Sequence, residues 1–239
     1  MLLTHSGSLW APNKWNHANS ACGGRSQSPI NIVTRKTLPD ERLTPLKFSN
    51  YQQSFSGSIK NNGHSVPHLS TVSGGGLPTT YKAVQFHLHW GNNGGPGSEH
   101  TIDGEQYPME LHIVHMKHHY TDLTTALSDP EGVAVLGFFY EKSNSANRKY
   151  EPIISSLQHI KIQLICAFVS DANTSLSPLS LAHYYRYKGS LTTPGCTESV
   201  VWTVFENPIP LSSEQLRAFS DLKFQDGKPM VDSFRPVQP

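Results

Sequence analysis

Short apolar runs alternate with segments rich in glycine and proline along most of the chain. The sequence contains 18 glycines and 17 prolines, and many of them fall between the apolar runs. This punctuation is typical of a protein built mainly from strands. The predicted strands are residues 83–90, 109–116, 132–141, 163–170, 182–191 and 199–206.

Two segments have the pattern of short helices. Residues 149–160 carry apolar side chains at helical spacing, which predicts one amphipathic helix. Residues 212–219 follow the rules for a helix start, because Ser212 and Gln215 are spaced as in a capping box. Both helices are short enough to lie at the edge of a β structure.

A hairpin signal and an even composition complete the organisation. Asn62-Gly63 supplies the positive φ angles of a tight hairpin turn. Hydrophobic residues make up 36% of the chain and charged residues 15%, and no repeat or linker-like run divides it. We therefore expect residues 1–239 to form a single, mainly β domain.

The charge balance argues against two classes of partner. The formal net charge is +1, which gives no basic surface for nucleic acid or an anionic membrane. No apolar stretch reaches the ~18 residues of a transmembrane helix. The opening ten residues are too short and too polar for a secretory signal peptide. We expect neither a nucleic-acid partner nor a transmembrane segment.

Two histidines interrupt the apolar segment at residues 83–90. Side chains of a strand alternate between its faces, so Gln85, His87 and His89 share one face. In the next predicted strand, Glu110 and His112 also share a face. If the strands are neighbours, three imidazoles converge, and three imidazoles with one open position form the ligand set of a catalytic zinc site.

The alternative is that these histidines are unrelated, because the chain contains 13 of them. For a single histidine that interpretation would be preferred. An H-x-H pair joined by a third histidine beside an acidic residue favours a metal site. His115, His118 and His119 lack the H-E-x-x-H pattern of a helical zinc site and are interpreted as surface or packing residues.

The chain resembles the alpha-class carbonic anhydrases over nearly its whole length, from Trp15 to Pro236. The resemblance depends on ordered motifs: RSQSPINI (25–32), NNGH (61–64), QFHLHWG (85–91), GSEHTIDG (97–104), ELHIVH (110–115), VLGFF (135–139), GSLTTPGCTESVVW (189–202) and FRPVQP (234–239). So many matches in the same order are very specific.

This resemblance implies a fold and a reaction. The fold is a large, twisted, mostly antiparallel central sheet with short peripheral helices. The reaction is the reversible hydration of carbon dioxide to bicarbonate and a proton by a zinc-bound hydroxide, and the family is the standard example of zinc lowering the pKa of water to ~7. Zn²⁺ is therefore the expected cofactor, and sulfonamides and simple anions are expected inhibitors.

The resemblance also assigns the residues around the metal. His87, His89 and His112 match the zinc ligands, and Gln85 and Glu110 match the partners of His87 and His112. A ligating imidazole needs its second nitrogen held by such a partner. Each partner here lies two residues before its ligand, on the same strand face.

The remaining site residues follow in the same way. Thr192 and Glu99 match the pair that orients the hydroxide, which is an effect of geometry. The substrate pocket is expected to be an apolar wall with one polar contact, formed by Val114, Val135, Leu191, Thr193, Val200 and Trp202.

His64 matches the position of the family's proton shuttle. A histidine, with a pKa near 6.5, can pass a proton from the site to buffer at neutral pH. The alternative is an exposed hairpin histidine after Asn-Gly. His68 is a possible substitute for the same role.

Departures from the family pattern leave alternatives open. Gly195 replaces a second proline whose preceding bond is typically cis in the family, so the loop is either trans and rearranged or strained. Pro67 replaces an amide side chain on the cleft wall. A non-catalytic carbonic-anhydrase-like binding module is therefore the main alternative, and a zinc esterase is a second one.

Cysteine usage bears on location. Cys22 and Cys196 match a disulfide of the extracellular members of the family, while Cys166 lies in an apolar run and is expected to be a buried free thiol. Asn173 begins a glycosylation sequon. We expect the protein to be extracellular, either secreted or attached to the cell surface by a segment absent from this sequence.

Overall fold

The computed structural model describes residues 15–51, 70–157, 181–223, 227–232 and 234–239. Several sequence predictions lie outside these residues and stay predictions. They are the hairpin at Asn62-Gly63, the strand at 163–170, the end of the helix at 149–160, and the side chains of His64, Pro67, His68, Cys166 and Asn173.

Ten strands and four short α-helices make up the described part. The strands are β1 (Asn31–Ile32), β2 (Leu46–Ser49), β3 (Thr71–Gly74), β4 (Tyr81–Trp90), β5 (Thr101–Ile102), β6 (Glu105–Gln106), β7 (Met109–Lys117), β8 (Val133–Ser143), β9 (Tyr184–Gly189) and β10 (Val200–Ser212). The helices are α1 (Trp15–Ala18), α2 (Leu123–Ala126), α3 (Glu151–Leu157) and α4 (Ser213–Ser220). None of the helices in these ranges is long and apolar enough to cross a bilayer.

Seven strands form one large sheet in the order β2-β3-β4-β7-β8-β10-β9. All neighbouring pairs are antiparallel except β8 and β10, which are parallel. Strands β1, β5 and β6 form a second, small sheet, in that order, which shares no strand with the large one. The predicted mainly β fold with a mostly antiparallel sheet is confirmed.

Strand β10 runs well beyond the predicted segment 199–206, through Pro208 and Pro210. Prolines cannot donate to a strand ladder and are tolerated where one side of the strand is unpaired. The pairing with β9 ends at Phe205, and beyond a register shift β10 continues beside β8 alone. The strand therefore lengthens only where β9 no longer pairs with it.

The large sheet has a different core on each face. One face packs an extensive apolar cluster that includes Phe86, Leu88 and Trp90 of β4. The opposite face carries a second cluster that includes Val114, Val135 and Trp202, from β7, β8 and β10. Because His87 and His89 alternate with the first set along β4, they lie on the second face. The alternation read from the sequence is confirmed.

The N-terminal segment is tied to the loop before β10. Cys22 and Cys196 form a disulfide across a sequence separation of 174, with their Cα atoms 4.9 Å apart. Both cysteines are buried and pack with Trp15. The pairing expected from the resemblance is therefore present.

Gln215 joins helix α4 to the segment that leads into α3. Its Oε1 accepts from the backbone N of Ser212 and of Asn147, and its Nε2 donates to the carbonyl of Asn147 and to Glu151. Ser212 Oγ accepts from the backbone N of Gln215, which completes the predicted capping box. One buried amide thus satisfies four partners.

Replacing Gln215 by Ala should therefore destabilise the fold. The change leaves two backbone N–H groups and one carbonyl without partners, and we expect a loss of about 2–3 kcal/mol in the free energy of unfolding. The matched control is Arg217→Ala, an exposed position on the same helix. Chemical denaturation measures both; a loss below about 0.5 kcal/mol for Gln215→Ala would contradict this role.

Candidate metal centre and active site

Strand pairing brings the three predicted ligands together. His87 and His112 are directly paired neighbours on β4 and β7, and His89 lies one alternation further along β4. A register shift between Ala83 and Gln85 precedes the pair. This irregularity resets the alternation of β4, so that the histidines face the second core rather than the first.

The distances between the imidazole nitrogens suit one small metal ion. His112 Nδ1 lies 3.3 Å from His87 Nε2, and the ligand atoms of all three histidines lie within 4.8 Å of one another. Tetrahedral zinc with Zn–N bonds of about 2.0–2.1 Å places its ligand nitrogens about 3.3–3.4 Å apart. The triad therefore fits a metal of this size.

Glu110 determines which nitrogen of His112 is available. The carboxylate Oε1 accepts from His112 Nε2 and from His100 Nδ1, each at 2.7 Å. Because a carboxylate only accepts, His112 must carry its proton on Nε2. Its Nδ1 then carries no proton and has a free lone pair on the side of His87. A metal ligand requires this tautomer.

Burial keeps the ligands in their coordinating form. It lowers the pKa of His87 and of His112, so both imidazoles are neutral near pH 7. For Glu110, burial alone would raise the pKa, but electrostatic interactions and hydrogen bonds with His100 and His112 outweigh it and hold the pKa well below its usual range. The result is an ionised acceptor behind neutral ligands.

Gly137 provides the space for this arrangement. It is the β8 neighbour of His112, and a Cβ atom there would lie 3.2 Å from Glu110 Oε1. Any larger residue would press on the carboxylate that holds His112. The glycine in the VLGFF motif therefore has a packing reason.

Glu99 lies against the metal triad on the side of His89. Its Oε2 is 3.4 Å from His89 Nε2 and 3.8 Å from His112 Nδ1. Its Oε1 accepts from the backbone N of Arg235 at 2.7 Å. Burial raises the pKa of Glu99 to about 7, against the lowering effects of His112, of a hydrogen bond from Thr192 and of the Arg235 N–H.

Thr192 belongs to a loop held at both ends. Ser28 N donates to Ser190 Oγ at 2.9 Å, and Ser190 N donates back to Ser28 Oγ at 3.0 Å. Trp202 Nε1 donates to the carbonyl of Ser190 at 3.0 Å. Beyond Thr192, the disulfide holds Cys196. Thr192 is buried, and its side chain lies close enough to Glu99 to lower the pKa of that carboxyl, so the two predicted residues are neighbours.

The loop accommodates Gly195 without a cis bond. The cis peptide in the described residues is Ser28–Pro29, and the bond before Gly195 is trans. Gly195 has φ +121°, a conformation that side chains rarely adopt, and Cys196 follows at φ +47°. Of the two alternatives left by the sequence, the structure has the trans loop, with the turn made at glycine.

An apolar wall continues from the triad across the sheet. Val114 shares the face of His112, and the register places it beside Val135, which is in turn beside Trp202. Val200 is buried in the same cluster, and Leu191 packs against it. Five of the predicted pocket residues therefore meet on one surface, while Thr193 is exposed in the loop.

One predicted partner is not engaged as expected. Gln85 is half-buried on the side of the triad, but within the described ranges it makes no hydrogen bond to His87. Its role as the partner of His87 stays a prediction. The structure does not describe His64, so the shuttle also stays a prediction.

Sequence reasoning gave no role to several residues that support the site. His100 Nε2 bonds to the hydroxyl of Tyr187 at 2.7 Å, and that hydroxyl donates to Ser28 Oγ at 2.9 Å. A buried chain thus runs from His112 through Glu110 to the loop of Thr192. His100 lies beside Glu99 in the GSEHTIDG motif, and this position could have indicated a role in the site. No sequence feature indicated such a role for Tyr187.

The site is thus a group of three histidines that could hold a metal ion, on a large β sheet, with a carboxylate–threonine pair and an apolar wall beside it. A family model for the eukaryotic-type carbonic anhydrases matches residues 10–239. The chain belongs to this family, which agrees with the resemblance seen in the sequence motifs.

Curated relatives support the assignment over most of their length. The chain is 40% identical to "Carbonic anhydrase 4" of Rattus norvegicus, over 95% of this chain and 76% of the relative. It is 43% identical to "Carbonic anhydrase 12" of Homo sapiens, over 98% of this chain and 71% of the relative. With "Carbonic anhydrase 15" of Mus musculus the identity is 36%, over 95% and 76%.

Replacing His87, His89 or His112 singly by Ala should lower the zinc affinity by more than about 100-fold. That loss exceeds the one expected when only a hydrogen-bond partner of a ligand is removed. Glu110→Gln should cost about 10–100-fold, because it disturbs the tautomer of His112. Competition with a chromogenic chelator measures both. His118→Ala, at an exposed histidine after β7, is the control; unchanged zinc affinity in any triad variant would refute the assignment.

Proposed function

We propose that this chain uses Zn²⁺ at His87, His89 and His112 to catalyse the reversible hydration of carbon dioxide to bicarbonate and a proton. The observation that carries the proposal is the convergence of three histidines beside the Glu99–Thr192 pair. Zinc, when bound, supplies the Lewis acidity that makes water a nucleophile at neutral pH, and carbonic anhydrase is the best-known case.

The Glu99–Thr192 pair would orient the nucleophile. An ionised Glu99 can only accept, as its Oε1 does from the Arg235 N–H, so Thr192 beside it would donate its hydroxyl. With its own proton committed to Glu99, Thr192 Oγ can only accept a hydrogen bond from the nucleophile. Thr192 would thereby orient the nucleophile toward the substrate, and such orientation can supply a large part of a rate enhancement.

The apolar wall suits a small neutral substrate. Carbon dioxide has no charge for an ion pair, so it needs dry surface close to the metal. Val114, Val135, Val200 and Trp202 provide that surface, and all four are buried in one cluster.

A non-catalytic binding module is the less favoured alternative. That interpretation requires the loss of a ligand histidine, and all three are present and convergent. The trans loop at Gly195 also leaves Thr192 in contact with Glu99. Sulfonamides and simple anions should inhibit, because they would compete for the open metal position.

We place the protein outside the cell. Disulfides persist in oxidising compartments, and the Cys22–Cys196 bond supports such a location. The sequon at Asn173 is consistent with secretion.

Stopped-flow hydration of carbon dioxide by the zinc-loaded, oxidised protein should show zinc-dependent activity. Thr192→Val, which keeps the shape but loses the hydroxyl, should lower kcat/KM about 100-fold. Thr197→Val, in the same loop, is the control. An inactive zinc-loaded protein would overturn the proposed function, and full activity in Thr192→Val would overturn the orienting role.

We propose His64 as the proton shuttle of this reaction. Each turnover must release a proton, and direct release from a group of pKa ~7 to water is limited to about 10³ per second. A histidine near the site can exceed that limit by passing the proton to buffer. The support is its place in the NNGH motif.

His64→Ala should lower kcat in dilute buffer and leave kcat/KM for hydration nearly unchanged. Adding an imidazole-type buffer should restore kcat, because the buffer replaces the missing side chain. His119→Ala, at an exposed histidine, is the control. If kcat in dilute buffer is unaffected, His64 is not the route, and His68→Ala is the next variant to measure.

A further inference from the structure

Arg235 connects the C-terminal segment to the catalytic pair. It is only 3% exposed, which is unusual for an arginine. Its backbone N donates to Glu99 Oε1 at 2.7 Å. The exact position of Glu99 therefore depends on where the Arg235 backbone lies.

The side chain of Arg235 fixes that backbone. Nη1 donates to the carbonyl of Ser28 at 2.7 Å and Nη2 to the carbonyl of Cys22 at 3.2 Å. The guanidinium also lies over the ring of Trp15, 5.6 Å from its centroid. Three elements of the N-terminal segment thus hold one buried cation.

The same N-terminal segment holds the other half of the pair. Ser28 exchanges two hydrogen bonds with Ser190, just before Thr192, and Cys22 is bonded to Cys196, just after it. Thr192 and Glu99 are therefore both positioned by contacts with the same N-terminal segment. Thr192 is connected to that segment through its own loop, and Glu99 is connected to it through Arg235.

We propose that Arg235 is a positioning residue, whose guanidinium fixes Glu99 relative to Thr192 by tying the C-terminal backbone to Cys22 and Ser28. The planar fork of an arginine can reach two carbonyls at once, whereas a lysine presents a single ammonium. The inference rests on the proposed function, because its effect is on orientation in that reaction. The metal triad does not contact the guanidinium among the described residues.

The test compares Arg235→Met and Arg235→Lys in the full-length, oxidised, zinc-loaded protein. Arg235→Met should lower kcat/KM for carbon dioxide hydration at least tenfold, since small misplacements of an orienting group are costly. Arg235→Lys should recover part of the loss. Zinc affinity, measured with a chromogenic chelator, should stay within about twofold of the parent. Arg217→Met, at an exposed arginine, is the control.

A double-mutant cycle with Glu99→Gln separates positioning from general stability. If Arg235 acts through Glu99, Arg235→Met should change kcat/KM by less than about twofold in the Glu99→Gln background. A merely structural role predicts the same fold-loss in both backgrounds, and that result would overturn the proposal. So would unchanged kcat/KM in Arg235→Met with wild-type Glu99.

Arg235→Met could fail to fold, since it removes a buried cation from two carbonyls. In that case Arg235→Lys and Trp15→Phe carry the test, each with and without Glu99→Gln. A loss of kcat/KM that disappears in the Glu99→Gln background supports the proposal, and unchanged kcat/KM in both overturns it. A zinc-loaded wild-type protein without activity would overturn the proposed function, and the positioning role with it.

Discussion

The buried carboxylate of Glu110 is the constraint on which the rest of the site depends. It has no exposed surface, and it accepts four hydrogen bonds: from His112 Nε2, from His100 Nδ1, and from the backbone N of Glu99 and of His100. A buried charge is tolerated only when it is so fully satisfied. In return, one side chain fixes the tautomer of a metal ligand and the backbone of Glu99.

Chemistry and packing are divided between the two faces of the sheet. The face of Phe86 and Leu88 builds an extensive apolar core, and the other face carries the triad and the apolar wall. A strand alternates its side chains, so β4 and β7 serve both faces at once. Dense packing behind the ligands limits their movement, which holds the nitrogens at a separation that suits a metal.

Much of the sequence prediction followed from the local alternation of side chains. The features that the sequence did not predict depend on contacts between residues far apart in the chain. Period two alone placed His87 and His89 on one face, His112 joined them only on the assumption that its strand is a neighbour, and the capping box of α4 followed from the Ser212–Gln215 spacing. The disulfide and the Glu99–Thr192 pair needed the family resemblance. The register shift in β4 and the trans bond before Gly195 depend on tertiary contacts and could not be derived. Neither could the side-chain contacts of Arg235, which are far apart in sequence.

The two halves of the site differ in how they are built. The paired ligands His87 and His112 are only 25 residues apart, on neighbouring antiparallel strands. The contacts that place Glu99 and Thr192 span 136 residues for Arg235 to Glu99, 162 for Ser28 to Ser190 and 213 for Arg235 to Cys22. Contacts of such separation close large loops and form only when the whole domain is assembled. Disturbance of the chain termini should therefore reach the orienting pair before it reaches the metal ligands. The histidine triad is thus built mainly by one strand pair, whereas the position of Glu99 relative to Thr192 also depends on contacts that span most of the chain.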